Sequence, residues 1–275
     1  MKKLLLITSI LALLAGCGPR PSAEYTGTVF PVDLAVEVND RQMTLSWRKV
    51  GDGPIAGYHI YISPEPLTVK YPDSEIDPYV DTYDVTPFPG DTNPEDGIEY
   101  FEATGLDNGV RYYVSIRVVY PDRSVSKPSN EIEAVCGPRG EIELAIRYQS
   151  DHDGYSFEKN DYVRADDSDN DLYFFAKDGI DYLSSPRRLS GFINDTRFLV
   201  LPYRGSLKEI RSRVAESKLT ATEDQVEVSM GDWVLLECQG GTHALVNVRT
   251  VEGSGKNRRV NLFFAYSALV GEVFF

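Results

Sequence analysis

Basic residues are scarce in this chain. Across 275 residues, 28 lysines and arginines stand against 42 aspartates and glutamates, a formal charge of −14. A nucleic-acid partner is therefore not expected, because phosphate binding needs a basic footprint. The same deficit argues against electrostatic attachment to anionic lipid. Histidine and cysteine are scarcer still, three of each. His59, His152 and His243 lie far apart, and no HExxH, CxxC or His-x-His occurs, so a zinc site has no sequence support. The glycine-containing stretch Glu252–Asn257 is no phosphate loop. Its Lys256 is followed by Asn257 where serine or threonine is needed, and it sits in a strand–turn–strand context.

What is present begins at the N-terminus. Met1-Lys2-Lys3 precedes an apolar run from Leu4 to Ala15, the layout of a secretory signal peptide. The run is shorter than the about 20 apolar residues that cross a bilayer. It ends in Leu14-Ala15-Gly16-Cys17, which resembles the lipobox of bacterial lipoproteins. That resemblance implies diacylglycerol on the Cys17 sulfur, cleavage before Cys17 and acylation (palmitate) of the new N-terminus. Several acyl chains hold a protein stably where one holds it marginally. Residues 1–17 are thus read as signal and lipid-attachment site. Residues 18–28 form a tether, in which Pro19 and Pro21 disfavour helix. Gly18 after the cysteine, in place of aspartate, implies the outer membrane in a Gram-negative cell. The expected location is the cell envelope.

After the signal about 258 residues remain, enough for two domains. Residues 29–136 read as short strands. Leu34–Val38, Met43–Trp47, Gly57–Ile62, Tyr100–Ala103, Tyr112–Tyr120 and Glu131–Val135 are rich in β-branched and aromatic residues. Period-two alternation puts Tyr58, Ile60 and Ile62 on one face and turns His59 away from the core. Asn108-Gly109 is a turn signal. The order TLSW, GYHIYIS, TGLDNGVRYYVSIRVVY, SKPSNEIEA resembles a fibronectin type III domain. The resemblance implies a seven-stranded, two-sheet sandwich. It casts Trp47 as core tryptophan and Tyr112 as a corner tyrosine bonded to nearby backbone.

Residues 64–99 interrupt that pattern with a proline-broken acidic arm. It carries Asp73, Glu75, Asp77, Asp81, Asp84, Asp91, Glu95, Asp96 and Glu99 against a single base, Lys70, with Tyr71, Tyr79, Tyr83 and Phe88 interleaved. The arm reads either as a solvated insertion or as a binding surface. Because the flanking strands are complete without it, it is expected to be dispensable for folding.

Cys136–Gly140 reads as a hinge. Residues 140–275 form a second β-rich domain, a sandwich or barrel, giving an all-β chain. Its strands are expected at Ile142–Ile146, Leu172–Phe175, Arg197–Leu201, Val226–Val228, Asp232–Glu237, Ala244–Val248 and Val260–Tyr266, with a short helix over 206–218. Cys136 and Cys238 can pair across the two domains, closing a loop of about 100 residues worth about 4–5 kcal/mol, or stay as buried thiols. Two acid clusters precede aromatic strands: Asp151 and Asp153, then Asp166, Asp167, Asp169 and Asp171. They read either as oxygen ligands for calcium, which needs six to eight, or as polar turn caps. No other cofactor is expected.

The expected function is a non-enzymatic envelope lipoprotein that presents β-domains to a protein or a glycan. The alternatives are a carbohydrate-binding accessory lipoprotein and, less favoured, a hydrolase with its site in the C-terminal half. Cys17→Ser is expected to release the chain from membranes without unfolding it. Detergent phase partitioning with metabolic palmitate labelling checks this. Membrane retention of both forms, with label in neither, would remove the lipid anchor from consideration.

Overall fold

The computed structural model describes residues 29–70, 82–91, 97–149, 151–189, 194–217 and 219–273. The signal segment, Cys17, the tether and the Asp73–Asp81 and Glu95–Asp96 parts of the acidic arm lie outside them.

The first unit is a sandwich of two three-stranded antiparallel sheets. One has β1 (Phe30–Asn39), β2 (Gln42–Val50) and β4 (Ile98–Thr104) in the order β1-β2-β4. The other has β3 (Gly57–Ser63), β5 (Arg111–Val119) and β6 (Ile132–Val135) in the order β3-β5-β6. Between them pack Met43, Leu45 and Trp47 from β2 against Ile60, Val114, Ile116 and Val118. Trp47 meets the ring of Tyr58 edge-on at 5.1 Å, a favoured aromatic geometry. The corner forms as the resemblance implies: the Asp107 N–H donates to the Tyr112 hydroxyl at 3.0 Å. Asn130 fastens the sheets at one edge. Its side-chain oxygen accepts from the Leu34 N–H at 3.1 Å and its amide donates to the Leu34 carbonyl at 3.2 Å.

His59 lies off the sandwich core, as alternation has it, yet it does not face solvent. It is buried, as are Tyr61, Ser115 and Arg117 on the same face of β3 and β5. Alternation assigns an inner and an outer face, and here the outer face is covered too.

The described part of the acidic arm packs on the sandwich. It opens with a short helix, α1 (Leu67–Lys70), and residues 82–91 return along the free edge of β3. Tyr58 and Phe88 exchange backbone hydrogen bonds of 2.7 and 2.8 Å, and the Tyr83 N–H donates to Ile60 at 2.7 Å. This segment stands where a seventh strand is expected, but among the described residues it makes only isolated bridges. Phe88 packs on Phe101 with ring centroids 5.1 Å apart. Glu99 accepts from the Tyr58 hydroxyl and from the Asp91 N–H, both at 2.9 Å. Tyr83 and Phe88 of the arm therefore pack against the sandwich core.

The second unit is also a sandwich. One sheet has the order β12-β14-β15-β16-β7, built from β7 (Arg139–Ala145), β12 (Arg197–Val200), β14 (Trp233–Glu237), β15 (His243–Glu252) and β16 (Arg259–Ser267). The other has the order β13-β11-β10-β8-β9, from β8 (Gly154–Ser156), β9 (Asp161–Val163), β10 (Leu172–Lys177), β11 (Ile180–Ser184) and β13 (Gln225–Glu227). Leu144, Phe157, Leu172, Phe174, Phe198, Leu236 and Phe264 fill the space between.

The back of the first of these sheets is covered by α2 (Leu207–Glu216). Ile210 and Val214 of this helix pack with Trp233, Leu235, Leu245 and Ala265. Burial on both faces explains why WVLLE, ALVNV and LFFAY do not alternate. The helix starts where its sequence dictates: Ser206 and Glu209 form a capping box, with the Ser206 N–H donating to Glu209 at 2.8 Å.

The segment Cys136–Gly140 is not a free hinge. Cys136, Gly137 and Pro138 are buried, and Arg139 and Gly140 already belong to β7. A Cβ on Gly137 would lie 2.1 Å from the Tyr266 carbonyl oxygen. Cys136 and Cys238 are free thiols. Each is sealed in the core of its own sandwich, so the disulfide left open by the sequence does not form.

Trp47→Ala is expected to cost about 3–5 kcal/mol. Phe88→Ala, at a half-buried position, should cost less but exceed the about 0.5 kcal/mol of an ordinary surface change. Urea melts of the two variants check both numbers. A Phe88→Ala loss within surface range would return the arm to the status of decoration.

Candidate functional site

Two loops of the second sandwich are tied together by side chains that accept backbone N–H groups. The Asp153 carboxylate takes the N–H groups of Tyr148 and Ala165, the latter at 2.7 Å. Asn170 accepts from Tyr155 at 2.9 Å and Leu172 at 3.2 Å, and donates to the Ala165 carbonyl at 3.0 Å. Its packing requires Gly154, where a Cβ would fall 2.7 Å from the Asn170 side-chain oxygen. Asp171 accepts from the Phe157 N–H at 2.7 Å. Asn194 donates to the Asn170 carbonyl. These bonds satisfy loop backbone that β8, β9 and β10 leave over.

The same loops wall a cavity of about 520 Å³, bordered by Ser156, Glu158, Lys159, Asn194, Thr242 and Tyr266, with Asp171 and Asp169 among its lining. Its polar groups differ in state. Burial above all pushes the Asp171 carboxyl up to about 7, with the Phe157 N–H opposing and the Glu158 charge adding to the rise. Burial likewise pushes the Cys238 thiol well above its usual range, and the neighbouring Asp171 carboxyl adds to this. The Tyr266 hydroxyl is raised by burial and donates to the Thr242 hydroxyl at 3.0 Å. Near neutral pH Ser156, Asn194, Thr242 and Tyr266 offer neutral donors and acceptors around Asp171, itself divided between its two forms, and Glu158, Lys159 and Asp169 add charged groups to the lining. Asp169 pairs with Lys159 at the rim.

The six acids proposed as calcium ligands do not converge. Asp151 is exposed in a turn. Asp153 is spent on two N–H groups, as above. Asp166 pairs with Arg164 at 3.0 Å, and Asp167 accepts from the Asp169 N–H at 2.9 Å. Among the described residues no three His, Cys, Asp or Glu side chains gather as a metal site. Asp153, Asp167 and Asp171 cap backbone N–H groups, while Asp166 and Asp169 pair with basic side chains. The histidines are also scattered: His59 is buried in the first sandwich, and His152 lies against the Tyr162 ring at 4.5 Å.

Of the site, sequence reasoning singled out only Asp169 and Asp171. Ser156, Asn194, Thr242 and Tyr266 come from four separate stretches, and no motif links them. Their one shared signal is that Thr242 follows the Gly240-Gly241 turn and Tyr266 closes the last strand, positions that bring both to one end of the sheet.

No curated protein matches the chain. Among solved structures, one match is the "Structure of Yersinia enterocolitica Family 28 Exopolygalacturonase". It is 22% identical with a TM-score of 0.27, over 44% of this chain and 23% of that chain. The likeness spans less than a quarter of that protein, and at this TM-score nothing is drawn from it. Residues 29–135 match the family model of the fibronectin type III domain. With its paired three-stranded sheets, core Trp47 and Tyr112 corner, the first sandwich is a fibronectin type III domain.

Proposed function

We propose that this chain is a non-enzymatic, lipid-anchored protein of the cell envelope, whose second sandwich binds a neutral, hydroxyl-rich ligand of the glycan class in the Asp171 cavity. The fibronectin type III domain then acts as the spacer between that cavity and the tether. The observation that carries the reading is the cavity wall. Amide, hydroxyl and phenol groups from Asn194, Ser156, Thr242 and Tyr266 surround a carboxyl that is largely protonated below about pH 7. Such a set donates to and accepts from sugar hydroxyls without a net charge to desolvate. Binding is favoured over turnover because glycoside hydrolysis uses two carboxyl groups facing one bond. Here Asp171 is buried, whereas Glu158 is exposed at the rim. Lipid attachment rests on the Leu14–Cys17 motif.

Calorimetric titration with neutral oligosaccharides and soluble peptidoglycan fragments tests the reading. Asn194→Ala is expected to weaken binding at least about tenfold, the scale of one lost hydrogen bond to a buried group. Wild-type affinity should fall as pH rises from 6 to above 8, about one unit to either side of the Asp171 value of about 7, because the protonated carboxyl is the donor. Asp171→Asn, a permanent neutral donor, should flatten that dependence. Affinity for none of these sugars would defeat the glycan reading. Hydrolysis of a bound sugar, lost in both Asp171→Asn and Glu158→Gln, would make the chain an enzyme instead.

Asp171 also ties stability to pH. Its carboxyl is raised in the folded chain from 3.8 to about 7, so between those values the folded state holds a proton that the unfolded state has released. Its contribution is complete below about pH 4 and is lost as pH rises through about 7, at up to about 1.4 kcal/mol per unit. Asp171→Asn should remove that slope and be more stable than wild type at pH 8. Urea melts at pH 4.5, 6 and 8 measure it, and identical slopes in both proteins would place Asp171 outside the titration.

A further inference from the structure

In so acidic a chain most arginines find an answering group. Arg48, Arg111, Arg188, Arg204, Arg258 and Arg259 each meet a carboxylate. Arg147, Arg213 and Arg249 lie over aromatic rings. Arg139 and Arg211 do neither among the described residues, and they are brought to one place. Arg139 stands opposite Ala265 in the β7–β16 ladder, and Arg211 follows Ile210 on α2. Ala265 and Ile210 pack in the same apolar cluster. Both arginines therefore lie on the helix-covered side of the sheet, and the Arg211 charge reaches Arg139 there.

The local chemistry is unfinished there. The Arg139 Nε–H is sealed from solvent and has no hydrogen-bond partner. Burial, followed by the Arg211 charge, lowers the Arg139 guanidinium to about 10, and Glu37 on β1 acts in the opposite direction. Burial also lowers Arg211. An unmet buried N–H and two neighbouring like charges are each unfavourable. An oxyanion between them removes both penalties, because guanidinium forks match such oxygens in bidentate fashion.

We propose that Arg139 and Arg211 form a binding site for a single oxyanion group, phosphate, sulfate or carboxylate, carried by a small ligand. A polyanion is disfavoured, since the chain around the site has a formal charge of −14 and repels extended negative charge. The site is separate from the Asp171 cavity. Arg139 is on β7 and Arg211 on α2, and neither contributes to the cavity lining.

The test is a titration of the whole folded chain followed through arginine Nε–H signals in ¹H–¹⁵N spectra. Sodium phosphate, sodium sulfate and sodium acetate form separate arms, with ionic strength held constant by sodium chloride. The Arg139 signal, identified by its loss in R139K, is expected to move saturably in at least one arm. R211Q, which keeps a good helix former on α2, should raise the half-saturation concentration by about tenfold. Thermal melts supply a second readout: the anion that saturates the shift should raise the wild-type midpoint more than that of R211Q. No saturable movement in any arm, or the same half-saturation in wild type and R211Q, overturns the proposal. The ranking of the arms then separates a tetrahedral anion from a carboxylate.

Discussion

Gly137 and Tyr266 touch through their backbones. The Tyr266 N–H donates to the Pro138 carbonyl at 2.9 Å, and the space for a Cβ on Gly137 is taken by the Tyr266 carbonyl. The Gly137 N–H in turn donates to Asn39 at the end of β1, at 3.2 Å. Three residues thus carry the chain out of one sandwich and straight into the edge of the next, where β7 pairs with β16 over seven positions from Arg139 to Ala145. No linker intervenes. Gly109 extends the seam from the first sandwich, since a Cβ there would meet the Ala268 carbonyl at 2.9 Å. Only glycine fits either place, Gly137 for want of room and Gly109 also for its φ of 74°.

That seam bears on both ends of the second sandwich. Tyr266 belongs both to the junction, through its backbone, and to the cavity lining, so the seam and the cavity wall share a residue. Arg139 is the first residue beyond the seam, held by the ladder to Ala265 on the helix-covered face. A longer linker would let the two sandwiches move independently. Direct entry into a five-stranded sheet makes the orientation of β6 decide that of β7.

Much of the fold was legible because its signals are local. TLSW, the Asn108-Gly109 turn and the Tyr112 strand carry their periods and turn chemistry within a few residues. The double-covered sheet was legible as strands from its apolar runs. Its second cover was not, because a run such as WVLLE does not say what lies on either side. β8, β9 and β11 escaped notice since three to five residues are too few for periodicity to show. His59 kept to the face that alternation assigns it but is buried for a tertiary reason, the covering of both faces of β3. The arm was misread for a related one: its acids advertise solvent, whereas Tyr83 and Phe88 are the residues that decide its place. The cavity was hardest to see, for its wall is assembled from loops far apart in the chain.

The acid clusters show how like residues are put to different structural use. Asp153 and Asp171 sit in segments as rich in oxygen as any calcium loop, but they are buried beside backbone N–H groups that strands cannot use. Asp153 accepts two of these donors, the N–H groups of Tyr148 and Ala165. Asp171 has one such donor, the Phe157 N–H, set against nearly complete burial, and the balance leaves its carboxyl near neutrality. Two acids in neighbouring loops thereby take different roles: Asp153 pins the Tyr148 and Ala165 N–H groups, and Asp171 is a buried carboxyl raised to about 7. How many N–H donors each meets is set by where β8, β9 and β10 begin and end.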